Sequence, residues 1–167
     1  MLISSGQILT GRVAETITNG IQNAKDANGY VRSAYKAVCK PETMPEEDSG
    51  VKGTWVVEGQ SGRDDDFLGI IGDDSMPEAN LGAPDALGNR EPVLEWGASR
   101  TYQVGDVLTF ERNAIISVLA GGDIREGDEL KLGPNGTFVK SDKPSKIGRA
   151  YESAAEGERF EAMIKAL

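Results

Sequence analysis

Three times in the C-terminal part of this chain a glycine followed by an acid stands directly before a run whose side chains alternate. Gly105-Asp106 precedes VLTF, Gly127-Asp128 precedes ELKL, and Gly157-Glu158 precedes RFEAMI. A turn that enters a strand often needs φ > 0, which glycine adopts without a Cβ penalty, and the acid beside it can accept hydrogen bonds from nearby backbone N–H groups. The alternation then buries one face: Val107 and Thr109 lie opposite Leu108 and Phe110, Leu130 goes with Leu132, and Phe160 with Ala162 and Ile164. Pro134-Asn135-Gly136 is a hairpin signal that joins ELKL to TFVK. NAIISVLAG and KIGRAYES supply further strands. Short, closely spaced strands with glycine turns predict a small β-barrel or a jelly-roll-like sandwich, and 21 glycines in 167 residues fit a chain with many turns. The units recur at steps of 22 and 30 residues, so they are a recurring local device and not a strict repeat.

The first third reads differently. In RVAETITNGIQNAKDA, Val13, Ile17, Ile21 and Ala24 recur at helical spacing, which predicts a short N-terminal helix interrupted by Gly20. Asn28-Gly29 marks a turn, GYVRSAYKAVC alternates like a strand, and the opening MLISSGQIL reads as an extended arm. Removal of residues 1–12 is therefore expected to leave the fold intact and to weaken attachment to a partner. Charge is uneven: residues 1–40 balance at +3, residues 41–95 at −11 and residues 96–167 at −1. The acidic middle also holds Pro41, Pro45, Pro77, Pro84 and Pro92. It reads as a loop-rich, solvated insertion, or as an acidic surface that repels copies of itself except in one geometry. The expected organisation is an arm and helix over 1–40, an acidic loop-rich lobe over 41–99 and a hairpin-rich core over 100–167.

Composition excludes several functions. A net charge of −9 without a basic stripe argues against nucleic acid, and 6% aromatics against a stacking platform for single strands. There is no histidine, and Cys39 is the only cysteine; that removes His-based catalysis and the ordinary zinc and haem sites. No run approaches the roughly 18 apolar residues of a membrane span. The opening residues lack the basic start and apolar block of a signal peptide, so the expected place of synthesis is a cytoplasm.

The succession VGDVLTF, IREGDELKLGPNGTFVKS, KIGRAYESAAEGERFEAMI resembles the C-terminal part of the capsid decoration, or structural cement, proteins of tailed bacteriophages. Ile147-Gly148-Arg149-Ala150 and Ala154-Ala155-Glu156-Gly157-Glu158 match the last two steps of that pattern, and the likeness covers residues 100 to 165. The resemblance implies a structural protein with no catalytic site and no cofactor. It would sit on the outer surface of an expanded phage head as a homodimer or homotrimer and bridge major capsid subunits. Its partners would be the major capsid protein and itself, with neither nucleic acid nor membrane involved.

Other chemistry is weaker. Ser75-Met76-Pro77 looks like the Gly-x-Ser-Met-x-Pro signature of serine–lysine peptidases, with Lys140 as the desolvated base that would activate Ser75; the glycine and proline are each displaced by one position, and a proline-containing loop explains the stretch as well. Ser33 and Lys36 form a Ser-x-x-Lys pattern without its companion motifs. Asp64, Asp65 and Asp66 with Asp73 and Asp74 offer oxygen ligands for a cation, but the EF-hand register fails at Leu68 and Ser75. Gly59-Gln60-Ser61-Gly62 misses the nucleophile-elbow spacing by one. Trp55 and Trp96 sit among apolar residues and suit core or subunit-interface packing better than sugar stacking. A head fibre or surface glycan-binding module is the alternative function; it would need an aromatic-lined pocket.

Overall fold

The computed structural model describes residues 7–19, 24–43, 54–72, 81–91 and 100–165. Among these residues the strands run β1 (Gln7–Val13), β2 (Ile17–Asn19), β3 (Ala24–Lys25), β4 (Val31–Arg32), β5 (Ala37–Cys39), β6 (Thr54–Glu58), β7 (Phe67–Ile71), β8 (Arg100–Tyr102), β9 (Val107–Arg112), β10 (Ala114–Leu119), β11 (Glu129–Leu132), β12 (Phe138–Lys140), β13 (Gly148–Ala150) and β14 (Arg159–Ile164). The expectation of a mainly β protein built on a small barrel is borne out. The first barrel closes in the order β1-β6-β5-β7-β9, and a five-stranded sheet follows in the order β10-β14-β13-β11-β12. That second sheet curls until Ala120 bridges Phe138 and the Gly121 amide donates to the Phe138 carbonyl at 2.8 Å.

Two layers of core explain the strongly apolar runs. Val13, Val38, Val56, Leu68, Ile71, Leu108 and Phe110 fill the first barrel. Ala37, Cys39, Val57, Phe67 and Ile70 point the other way, into a cluster with Leu130, Leu132, Phe138, Phe160 and Ile164 of the second sheet. β5 and β7 are therefore buried on both faces, which is why FLGII has no polar alternation. Phe67 meets Phe138 edge to face, with ring centroids 6.3 Å apart. Gly69 lets β9 approach: a Cβ there would lie 2.8 Å from the Glu111 carbonyl oxygen.

The three Gly-acid pairs form the same turn. The amides of Asp106, Asp128 and Glu158 each donate at 3.0 Å to the carbonyl three residues earlier, in Gln103, Arg125 and Ala155. Their carboxylates accept from the amides of those same residues, at 2.9, 2.9 and 2.6 Å. Gly105, Gly127 and Gly157 have φ of +91, +90 and +86°, so the expectation of a left-handed glycine holds in all three. Each turn is clamped by one residue on a neighbouring segment: Val13 for the first, Ala150 for the second and Ala120 for the third. That residue accepts from the turn glycine and donates to the acid's carbonyl, at 2.8–2.9 Å. Ala120 and Ala150 thus hold each other's units, and the sheet has an approximate internal two-fold relation at the 30-residue step.

The N-terminal expectations need correction. Residues 13–19 and 24–25 are not helical: Val13 ends β1, a bend follows, and Ile17 opens β2, which pairs with β8. The spacing of four is that of the strand–bend–bridge unit itself, repeated at Ala120 and Ile124 and at Ala150 and Ala154. Ile21 lies outside the described residues. The supposed free arm, from Gln7 onward, is a barrel strand pairing with both β6 and β9, so removal of residues 1–12 would open the barrel. The middle third is likewise not all loop, since β6 and β7 lie within 41–99 and belong to the first barrel. GYVRSAYKAVC is two short strands, β4 and β5, with Tyr35 bridging Val118 between them. The Pro134–Gly136 hairpin is borne out: it is a tight 3-10 turn with Asn135 and Gly136 left-handed, and it joins β11 to β12 in antiparallel register.

Candidate functional site

The described catalytic candidates are not brought together. Ser75 lies outside the described residues, as do Asp73, Asp74 and Trp96. Lys140 ends β12 as an exposed residue. The Ser33 carbonyl accepts a 2.8 Å bond from Ser117 Oγ, whereas Lys36 Nζ pairs with Glu58 Oε2 at 3.1 Å. Each has a structural task, and no contact joins them. Gly59-Gln60-Ser61-Gly62 serves as a seam: the Gly59 amide donates to the Ala37 carbonyl at 2.8 Å, and its carbonyl accepts from Gly136 at 2.6 Å.

The acidic triplet is spent on three different partners. Asp64, Asp65 and Asp66 form a 3-10 turn between β6 and β7. Asp64 Oδ1 accepts from the Leu132 amide at 3.1 Å, Asp65 pairs with Lys146 at 2.5 Å, and Asp66 holds Arg63 at 2.9 Å. The Lys146 hydrogen bond and charge draw the Asp65 carboxyl below its usual range. Carboxylates divided in this way do not converge on one point, and among the described residues no set of three Asp, Glu, Cys or His side chains is arranged for a metal ion.

Cys39 is wholly buried in the core. Burial pushes its thiol up to about 11, against smaller lowering by the Gln60 backbone and Arg63. A thiol so placed is a poor nucleophile.

The polar feature that the sequence reading missed centres on Arg159, which is 1% exposed although it lies on the outer face of β14. The loop after β3 covers it. Arg159 Nε donates to Ser117 Oγ at 2.8 Å, and Nη1 meets Asp26 Oδ2 at 3.4 Å. Asp26 Oδ1 in turn accepts the amides of Asn28 and Tyr30 at 2.9 and 3.0 Å. Asp26, Tyr30, Tyr151 and Arg159 line an open cleft of about 580 Å³. Position is the signal that would have flagged Arg159: it directly follows Gly157-Glu158, where the earlier unit has Glu129 after Gly127-Asp128. Trp55 lies on β6, partly buried, as the register partner of Arg12.

No family model matches the chain, and no curated protein matches it. Among the solved structures that resemble it is one from a bacteriophage head. That structure is described as the head fiber gp8.5 N base of bacteriophage phi29, with 19% sequence identity, a TM-score of 0.44, and coverage of 96% of this chain and 94% of the other. Values this low leave the function to be argued from the chain itself.

Proposed function

We propose that this is a structural protein that decorates the outer surface of a bacteriophage head and stabilises the expanded shell by bridging major capsid subunits. The observation behind this reading is the ordered run of Gly-acid strands, hairpin, Ile-Gly-Arg-Ala strand and Ala-Ala-Glu-Gly-Glu turn, which resembles the cement proteins. The run folds into interlocked units that seal their own backbone hydrogen bonds. A rigid, clamped β module suits a protein whose task is mechanical. Such a protein stabilises the expanded lattice by mass action, because it binds that state and not the unexpanded one. Attachment to two or three neighbouring subunits raises the effective concentration of each contact. The reading places the protein on the virion, with the major capsid protein as partner and no catalytic activity.

Co-sedimentation of the purified protein with expanded and unexpanded shells of its source phage tests this. The expected result is saturable binding to expanded shells alone. Binding to neither form, or equally to both, overturns the proposal.

A further inference from the structure

In each of the three turn units, the cross-strand pair next to the clamp contains an arginine. The pairs are Arg12 with Val107, Leu119 with Arg159, and Arg149 with Glu129. Two of the arginines have a carboxylate partner: Arg149 meets Glu129 at 3.1 Å and Arg159 meets Asp26 at 3.4 Å. Arg12 has none among the described residues; its Nη1 donates to the Gly105 carbonyl at 3.1 Å. The surface beside it is apolar and open, with Val104 64% and Val107 45% exposed.

The loop that seats Asp26 on Arg159 has a twin. Residues 26–30 read Asp-Ala-Asn-Gly-Tyr, and residues 85–89 read Asp-Ala-Leu-Gly-Asn. The geometry is the same in both. Asp85 Oδ1 accepts the amides of Leu87 and Asn89, both at 2.9 Å, as Asp26 Oδ1 accepts those two and four residues on. Each aspartate amide donates at 2.9 Å to the carbonyl four residues later, and Gly29 and Gly88 share a φ of +83°. Arg90 braces the base of the second loop through the Gly82 carbonyl at 2.7 Å. The first loop is seated. The second stands clear: Asp85 has no cationic partner among the described residues, and Leu87 at its tip is 86% exposed.

We infer that the 85–89 loop of one copy docks on the Arg12–Val107 surface of a second copy of this chain. Asp85 then meets Arg12 as Asp26 meets Arg159, although Arg12 stands on the clamp strand of its pair and Arg159 on the strand that follows the turn acid, and Leu87 covers Val104 and Val107. Leu87 on the loop and Val104 and Val107 on the surface are all exposed, which leaves both open to another copy. The two halves of the contact are different surfaces, so copies join head to tail, in a ring where the rotation closes and in an open chain where it does not. At a net charge of −9, chains repel one another in other orientations, and an acid-to-arginine contact selects this one. The inference does not rest on the capsid proposal, because free protein tests it.

The test is sedimentation velocity on the full chain at on the order of 100 µM, a range suited to a small interface. Wild type is expected to sediment as an oligomer. Asp85→Arg alone and Arg12→Asp alone are expected to sediment as monomers, with the dissociation constant raised at least about tenfold by like charges brought together. An equimolar mixture of the two variants restores association of unlike copies, because every such contact is again complementary, while only a ring with an even number of copies closes by strict alternation. Leu87→Ser weakens assembly without touching a charge. If Arg12→Asp fails to fold by circular dichroism, Val104→Asp takes its place on the same surface. A monomeric wild type, an oligomer that Asp85→Arg and Leu87→Ser both leave intact, or folded variants that do not assemble when mixed would each overturn the inference.

Discussion

Arg159 and Asp26 meet at 3.4 Å with side chains that are 1% and 9% exposed, and they join the start of the chain to its last strand. Removing one member of a buried pair leaves the other charged and poorly compensated, which costs about 3–5 kcal/mol; without Asp26, Arg159 would keep only the longer contact of its Nη2 to Glu161 at 3.7 Å. Asp26→Ala also frees the amides of Asn28 and Tyr30. We expect it to lower the urea unfolding free energy by about 3 kcal/mol. Asp26→Ala combined with Arg159→Met should recover much of that loss, because the buried charge is then gone. Equal losses in the single and double variants would mean that the loop, and not the charge pair, sets the cost.

Gly148 runs against the last strand so closely that a Cβ would collide with the Met163 carbonyl oxygen, a backbone atom that cannot turn aside. Gly148→Ala should therefore force β13 from β14 and abolish the cooperative melt or lower it by more than about 3 kcal/mol. Gly122→Ala is the control, since its Cβ would sit at an ordinary 3.8 Å from Val139 Cγ1. Equal melting temperatures for the two variants would contradict this packing.

Gly127 separates conformation from crowding. Its φ is +90° and nothing lies within 4 Å of an added Cβ, so any loss on substitution comes from the backbone. Gly127→Val should cost about 1–3 kcal/mol, and Gly127→Asn less, because asparagine tolerates the left-handed region better than a β-branched residue. Chemical denaturation of both variants checks the order, and a valine variant as stable as wild type would contradict the turn.

The C-terminal half was legible in the sequence because each strand carries its own punctuation. Gly127-Asp128 states both where β11 starts and which backbone groups the acid satisfies, and Leu130 and Leu132 state which face is buried. The N-terminal half was not, because its pattern has two explanations. Val13 and Ile17 lie four apart, as on a helix, but here they flank a bend between two strands. Their partners at Asp106 and Tyr102 are about ninety positions away, and no local window contains that information. Asp26 and Arg159 were illegible for the same reason, being far apart in sequence and neighbours only after both ends have folded. The acidic triplet was visible, but its three separate partners were not.

Cys39 gives stability a pH dependence of known sign. Burial pushes the folded thiol up to about 11 from its ordinary value of 9.0. Above pH 9 the unfolded chain releases this proton and the folded chain retains it, so the unfolded state binds fewer protons and stability falls with rising pH. The decline should begin near pH 9 and level off near 11, where the folded thiol also ionises. Cys39→Ala should remove that part of the slope. The native thiol should also resist a disulfide reagent at pH 8 and react promptly in urea. Rapid labelling of the folded protein, or an unchanged alkaline slope in Cys39→Ala, would contradict the burial of Cys39 between the barrel and the second sheet.

The first strand makes the sharpest test of the fold. Gln7–Val13 pairs with β9 over six register positions from Gln7 to Arg12 and with β6 from Gly11 to Val13. Deleting residues 1–12 removes the strand that closes the first barrel and leaves β6 and β9 without their shared partner. Exposed edges of that kind invite aggregation. Deletion of residues 1–6 alone spares every one of these pairs and should preserve the cooperative melt. Deletion of 1–12 should yield insoluble protein, or a chain in which amide exchange in β6 and β9 loses its protection. A soluble 1–12 deletion with the wild-type melting temperature would mean that the barrel closes without β1, against the register on both of its edges.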